Sequence, residues 1–213
     1  MSGVVGAIAV VVLGYLLGAI PVGLLIGRLT RGIDIREFGS HRTGATNALR
    51  TLGARTAAIV FVLDLAKGVA AVLLAYQLYA AGPAGSPTWV AAAAGFAAVI
   101  GHIWSLFIRF TGGRGVATST GALLALAPLA VLILAPIVIV VMWRWRYVSL
   151  GSVLGSLLAP VVVLVLAAVG AAPWAAVAYA VAVGLLVAWA HRDNIARLRA
   201  GTERRIGQKE AAR

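Results

Sequence analysis

Ser40, Arg50, Arg114, His191 and Asn194 are the side chains of this sequence best suited to chemistry, and as a set they suit an anion. Each lies in a short polar island. The first island, REFGSHRTGATNALR (36–50), holds Ser40, Thr43, Thr46 and Asn47, glycines at 39 and 44, and arginines at 36, 42 and 50. The second, RFTGGRGVATSTG (109–121), sets Arg114 among Gly112, Gly113 and Gly115. The third, HRDNIARLRAGTERRIGQK (191–209), adds His191, Arg192, Asn194 and Glu203. Glycines let backbone N–H groups approach a ligand closely, hydroxyls add donors, and guanidinium adds a planar cationic fork. Such an inventory can bind two phosphoryl groups. A partly desolvated cationic site of this kind would work mainly through orientation and charge stabilisation.

Other chemistries fit less well. Gly39 to Thr46 nearly spells a P-loop, but Ala45 stands where the lysine belongs. There is no G-x-S-x-G elbow for a serine hydrolase. His41, His102 and His191 are isolated, which argues against catalytic zinc, and none has Asp five positions on, as a large class of acyltransferases does. The chain has no cysteine, so thiol catalysis and disulfides are excluded. No metal and no cofactor is expected.

The elements that must position these islands are membrane helices. Of 213 residues, 62% are hydrophobic and only 11% charged, and several apolar runs reach bilayer-spanning length. The net charge of +12 is interleaved with those runs, so it reports topology first and does not point to nucleic acid. The length predicts one membrane domain over residues 1–213, with motif loops at 28–55, 109–118 and 191–209. Spans are predicted at Val4–Gly27, Thr56–Ala80, Trp89–Phe107, Val148–Val169 and Trp174–Ala190, with uncharged outer turns at Gly82–Thr88 and Gly170–Pro173. The N-terminus lacks a basic leader region and reads as a retained first span. Val116–Trp143 is long for one span and contains Pro128 and Pro136. As one span it would place Arg144, Arg146 and the tail opposite the first two islands, against the positive-inside bias. Folding back near Pro128 into two short helices puts every basic loop on one side. The expectation is therefore all-α, seven transmembrane helices, N-terminus out and C-terminus in.

Within the spans, Asp64 and Lys67 are three apart on one helix face and should pair toward the bundle interior. They are either part of the site or a structural ion pair. His102, near the end of the third span, is either a satisfied polar contact or an anion ligand. Gly14 with Gly18, and Gly151 with Gly155, are spaced for close helix packing.

These residues resemble those of the PlsY family, the acyl-phosphate-dependent glycerol-3-phosphate acyltransferases of bacteria, over essentially the whole chain. The first family motif resembles Gly39 to Asn47 followed by Arg50. The second resembles Gly101-His102 through Gly112 to Thr118. The third resembles His191 to Ile195 with Gly201 to Ile206, and the DLAKG stretch from Asp64 is similar to the family's second helix. The resemblance implies a multi-pass bacterial cell-membrane protein with its site facing the cytoplasm. It implies acyl transfer from a long-chain acyl phosphate to the 1-hydroxyl of glycerol 3-phosphate, giving lysophosphatidic acid and phosphate, as the first acylation step of phospholipid synthesis. Neither acyl-CoA nor acyl carrier protein would be the direct donor, and a functional link to the enzyme that makes acyl phosphate follows. By position, Ser40, Arg50, Arg114, His191 and Asn194 would be catalytic and hold phosphate. Gly39, Gly44, Thr46, Asn47, His102, Gly112, Gly113 and Gly115 would line or shape the phosphate site, and Asp64, Lys67, Arg192 and Glu203 would support it, Glu203 by pairing with an arginine. Two departures stand out. His41-Arg42 replaces the usual Gly-Asn, and Arg114 replaces a usual lysine. Arg42 either adds charge to the site or faces water.

Because phosphate is a good leaving group, its own oxygen can take the attacking hydroxyl's proton, and no protein base or nucleophile is required. His102 and His191 then read as neutral donors to phosphate, the rival being one of them as general base. Two non-enzymatic readings compete: a transporter or flippase for a phosphorylated metabolite or lipid, and a passive binder of anionic membrane lipid.

Overall fold

The computed structural model describes residues 3–79 and 86–208, and all regular structure among them is helical. In chain order the helices are α1 (Gly3–Ala19), α2 (Val22–Arg31), α3 (Ala45–Thr51), α4 (Ala54–Leu78), α5 (Pro87–Ile103), α6 (Val116–Leu126), α7 (Pro128–Trp145), α8 (Val148–Ala168), α9 (Trp174–Ala190) and α10 (Arg192–Arg199). Most of the outer turn expected at Gly82–Thr88, the end of the second span at Ala80, and Lys209 lie outside the described residues. Five stretches are long and apolar enough to cross a membrane: Gly3–Arg31, Ala54–Leu78, Pro87–Ile108, Pro128–Trp145 and Val148–Ala168. A sixth arises if α9 and α10, which meet at a 60° bend, count as one.

The first span differs from expectation: it is broken at Ile20–Pro21 into α1 and α2 and runs on to Arg31. Pro21 has no N–H to give the helix and restricts the residue before it. The helix of the third predicted span, α5, also stops early, at Ile103, and a short 3-10 turn (Leu106–Ile108) follows.

The segment 116–148 does fold back. Ala127 leaves helical geometry at φ −150° and ψ 75°, and Pro128 starts α7 at the first position, where a missing N–H costs nothing. Val116 at one end and Val148 at the other line the same cleft. The two arms are not equally short, however. α7 has 18 residues, but α6 has only 11 and spans about 16 Å, roughly half the hydrocarbon thickness.

The core of the bundle joins α1, α4, α5, α6, α7, α8 and α9, with Val72, Val99, Val163, Val187 and Tyr79 almost fully buried. Alanines and glycines bring backbones together in it. Gly14 and Gly18 rest on the backbone of Ala94 and Ala98 in α5, whereas Gly151 and Gly155 receive the side chains of Met142 and Val138. The short α6 is held to α4 by a reciprocal pair: Gly68 meets the backbone at Thr118, and Gly121 meets the backbone at Leu65. Without these glycines α6 would stand off, and the Gly-rich loop at its start would move with it. Gly121→Val is expected to destabilise the detergent-purified protein by about 1–3 kcal/mol through overpacking, read as a lower thermal unfolding temperature. An unchanged midpoint would contradict the α4–α6 contact.

Candidate active site

The first island is shaped by one side chain. Asn47, 1% exposed, donates from Nδ2 to the carbonyls of Ile35 (2.7 Å), Phe38 (3.1 Å) and Arg42 (2.8 Å). Its Oδ1 accepts from the N–H of Ser40 at 2.8 Å. Gly39, at φ +64°, passes so close to Asn47 Oδ1 that a Cβ would not fit. Arg36 pairs with Asp34 at 2.6 Å and donates to Thr111 Oγ1 at 2.8 Å, which ties the first island to the second. That hydrogen-bonded partner holds the Asp34 carboxyl below its ordinary range against the opposing effect of burial.

The second island turns back on the end of α5. Gly112 and Gly113 donate their N–H groups to the carbonyls of Ile103 and His102, each at 3.0 Å. A side chain at Gly112 would strike the His102 carbonyl, and one at Gly113 would strike His102 Nε2. These two glycines therefore seat the loop on His102 and are not among the residues lining the cleft, which corrects the expectation that they line the phosphate site. Arg114 comes next, and Gly115, at φ +82°, starts α6.

The third island is organised by Glu203. Its Oε1 accepts from Asn194 Nδ2 at 2.6 Å and Ser149 Oγ at 2.8 Å, and its Oε2 pairs with Arg197 Nε at 2.8 Å. Burial pushes this carboxyl up, but the hydrogen bonds from Asn194, Ser149 and Arg197 outweigh it and hold it below the ordinary value. Arg192 stacks on Trp189 at 4.4 Å, outside the cleft.

The three islands meet at one cleft of about 130 Å³. Ser40, Arg42, Gly44, Thr46, Asn47, Arg50, Arg114, Gly115, His191, Asn194 and Glu203 line it, with Asp64 and His102 in its wall. Lys67 lies behind Asp64. Gly39 lines a polar vestibule that shares Ser40, Arg42, Arg50, Arg114 and Glu203 with the cleft. On the membrane side, Phe61, Val116 and Ser152 are shared with an apolar cavity of about 260 Å³ between α6, α7, α8 and α9. The sequence reading missed Phe61, Val148, Ser149 and Ser152. They stand in apolar helices, where nothing local distinguishes them from packing residues.

Arg114 is the dominant feature of the cleft. Among the described residues its guanidinium has no hydrogen bond and no ion pair, and its Nε is fully buried. Burial, then the charges of Arg42 and Arg197, push its pKa down to about 10, so it stays cationic at neutral pH. His191 lines the same cleft and feels the Arg114 charge. Its Nδ1 is 2.8 Å from the Val187 carbonyl, which can only accept, so Nδ1 carries the proton. Burial, with the Arg114 charge adding to it, depresses the ring to about 4. Neutral His191 thus offers the cleft an acceptor at Nε2, not the donor expected from sequence. Asn194 Oδ1, buried and without a donor, is a second acceptor. Hydroxyls satisfy such acceptors, and phosphate dianions do not.

A helical membrane protein in which a cleft holding a buried guanidinium adjoins an apolar cavity on one side and a polar vestibule on the other has a site suited to joining a lipid-soluble reactant to a polar one. The chain belongs to the glycerol-3-phosphate acyltransferase family, whose model matches residues 8–201, and it is a multi-pass membrane enzyme of that activity. It is 46% identical over 203 residues to glycerol-3-phosphate acyltransferase 1 of Deinococcus radiodurans, covering 95% of this chain and 97% of the relative. Identity to the glycerol-3-phosphate acyltransferase of Thermus thermophilus is 43% over 207 residues, with 97% and 98% covered. Among solved structures, it resembles a crystal structure of PlsY, an integral membrane glycerol 3-phosphate acyltransferase, in its glycerol 3-phosphate form. That match has TM-score 0.83 and 36% identity and covers 94% of this chain and 96% of the other. The lysophosphatidic acid form matches with TM-score 0.82, 35% identity and coverage of 94% and 95%.

The protonation of His191 gives a stability prediction. Above pH 6.5 the ring is neutral folded or unfolded, and nothing is lost. Between 6.5 and about 4 the unfolded ring takes a proton that the folded ring refuses, so stability falls as pH falls through that window. Glu203, with a folded pKa below 4.5, adds its own loss only at lower pH. Thermal unfolding against pH should show the first limb in the native protein and a flatter one in His191→Gln. The same slope in both would refute the burial of a neutral His191.

Proposed function

We propose that this enzyme moves a fatty acyl group from a long-chain acyl phosphate to the 1-hydroxyl of sn-glycerol 3-phosphate, releasing lysophosphatidic acid and phosphate. The observation that carries this reading is the unpaired, largely buried Arg114 guanidinium at the junction of the apolar cavity and the polar vestibule. A fatty chain fits the apolar cavity, and its phosphate then reaches Arg114. Glycerol 3-phosphate, too polar for that route, enters through the arginine-lined vestibule. The glycerol 3-phosphate and lysophosphatidic acid forms of the solved PlsY relative support this substrate and product.

In the proposed step the hydroxyl oxygen bonds to the acyl carbonyl carbon. The bond from that carbon to the phosphate oxygen breaks, and phosphate leaves with the electron pair and takes the hydroxyl proton. Ser40, Arg50, Arg114 and His102 hold the two phosphoryl groups, with Gly39, Gly44, Thr46, Asn47 and Gly115 shaping the pocket around them. His191 Nε2 and Asn194 Oδ1 receive the glycerol hydroxyls and orient the nucleophile. A ring with a pKa of about 4 is a poor proton store, so His191 orients and the leaving phosphate is the base.

The whole chain acts as one domain with seven membrane crossings, N-terminus out and C-terminus in, in a bacterial cell membrane with the cleft on the cytoplasmic side. Support comes from the fold-back at Ala127–Pro128 and from the clustering of all three basic islands at one end of the bundle. Acyl phosphate must then arrive from an enzyme that makes it at or near the same membrane face.

The test is phosphate release from palmitoyl phosphate by purified protein, with and without glycerol 3-phosphate, alongside mass detection of lysophosphatidic acid. Release should depend on glycerol 3-phosphate, match product one for one, and fall about a hundredfold or more in Arg114→Ala. No product from folded protein with intact donor would sink the reading and favour transport. In the same assay His191→Gln should keep turnover within about tenfold of the native value. A loss of several orders with unchanged KM values would instead make His191 the base.

A further inference from the structure

One buried group of charges has so far been only a wall of the cleft. Lys67, in α4 and 7% exposed, is an ammonium with three hydrogens. Three acceptors surround it: the Ile20 carbonyl at 3.1 Å, Asp64 Oδ1 at 2.8 Å and His102 Nδ1 at 2.8 Å. The Ile20 carbonyl lies just past the end of α1, at the break before Pro21, and also accepts from the Val22 N–H at 3.0 Å. The Asp64 contact keeps Lys67 charged, and a charged ammonium can only donate. His102 Nδ1 therefore carries a lone pair, and the proton of the neutral ring sits on Nε2. His102 Nδ1 is also 3.4 Å from Asp64 Oδ1, but an N–H on Nδ1 would aim its hydrogen into the ammonium field 2.8 Å away. On the far side of the ring, Nε2 abuts Gly113, beside Arg114, and the ring forms part of the cleft wall.

The structure assigns Lys67 as a positioning residue: by capping His102 Nδ1 it turns Nε2–H into a fixed donor for substrate phosphate beside Arg114. This rests on the proposed phosphate-binding use of the cleft. Lys67 touches no substrate and acts through the ring. Asp64 has a double part, since it keeps Lys67 charged yet would itself draw the proton to Nδ1 if Lys67 were absent. His191, with its proton on Nδ1, has the opposite form, so the two histidines present one donor and one acceptor to the same cleft.

The chain has three histidines, which makes the test direct. Ring-nitrogen NMR of full-length, histidine-labelled protein in detergent, assigned with His102→Asn, should find Nδ1 of His102 bare and Nε2 protonated. Lys67→Met leaves Asp64 to claim the ring, so Nδ1 should become protonated and turnover with palmitoyl phosphate and glycerol 3-phosphate should fall about tenfold or more. Asp64→Leu/Lys67→Met removes both charges, which buried pairs tolerate better than loss of one partner. It should restore bare Nδ1 and recover turnover severalfold over Lys67→Met, although it removes more. A purely structural pair would not give that reversal. A protonated Nδ1 in the native protein overturns the assignment, as does native turnover in Lys67→Met or a double variant no better than the single. If Lys67→Met does not fold, the double variant must still show bare Nδ1 and turnover within about tenfold of native, or the assignment fails. Native protein that makes no lysophosphatidic acid would refute the proposed reaction, while the ring spectrum would still decide the tautomer.

Discussion

Backbone carbonyls freed where helices end are the constraint on which this structure depends. In an apolar bundle each such carbonyl must find a donor, because water is not there to supply one. The carbonyl at the Pro21 break takes Lys67. Those at the end of α5 take the N–H groups of Gly112 and Gly113, and the Val187 carbonyl near the end of α9 takes both the backbone N–H and Nδ1 of His191. The carbonyls of Ile35, Phe38 and Arg42 take Asn47. Each donor that closes a helix end also fixes a group that faces the cleft. The scaffold and the site are thus built from the same hydrogen bonds, and damage to one is felt in the other.

Charge in the cleft is arranged by a related logic. Carboxylates that could neutralise the arginines are already occupied: Glu203 holds Asn194, Ser149 and Arg197, and Asp64 faces Lys67. Arg114 is left without a counter-ion among the described residues, and Arg42 raises the local positive potential further. Such an arrangement costs folding free energy in the empty protein and is relieved when an anion binds. On electrostatic grounds a cleft built this way favours an anion over a neutral ligand without any group dedicated to rejecting the neutral one.

Much of this was legible in the sequence because it is periodic or punctuated. Long apolar runs announced the helices, and the charge of Arg144, Arg146 and the tail demanded a fold-back that Pro128 then delivered. The three islands announced the site because polar residues are rare here. Side-chain direction was not legible. That Gly112 and Gly113 seat on a histidine, that Arg192 turns away onto Trp189, and that Ser149 reaches Glu203 depends on how helices distant in sequence are rotated against each other. The proton positions on His102 and His191 were equally hidden, since each is fixed by a neighbour that spacing does not reveal.

The cleft is walled by residues far apart in sequence: Ser40, Arg114 and the Asn194–Glu203 pair. The segment from Asn194 to Glu203 closes the cleft through Glu203, which reaches Ser149 in α8 and Asn194 in α10. The cleft is therefore a product of assembly, and helices packed without this segment would leave it open on one side.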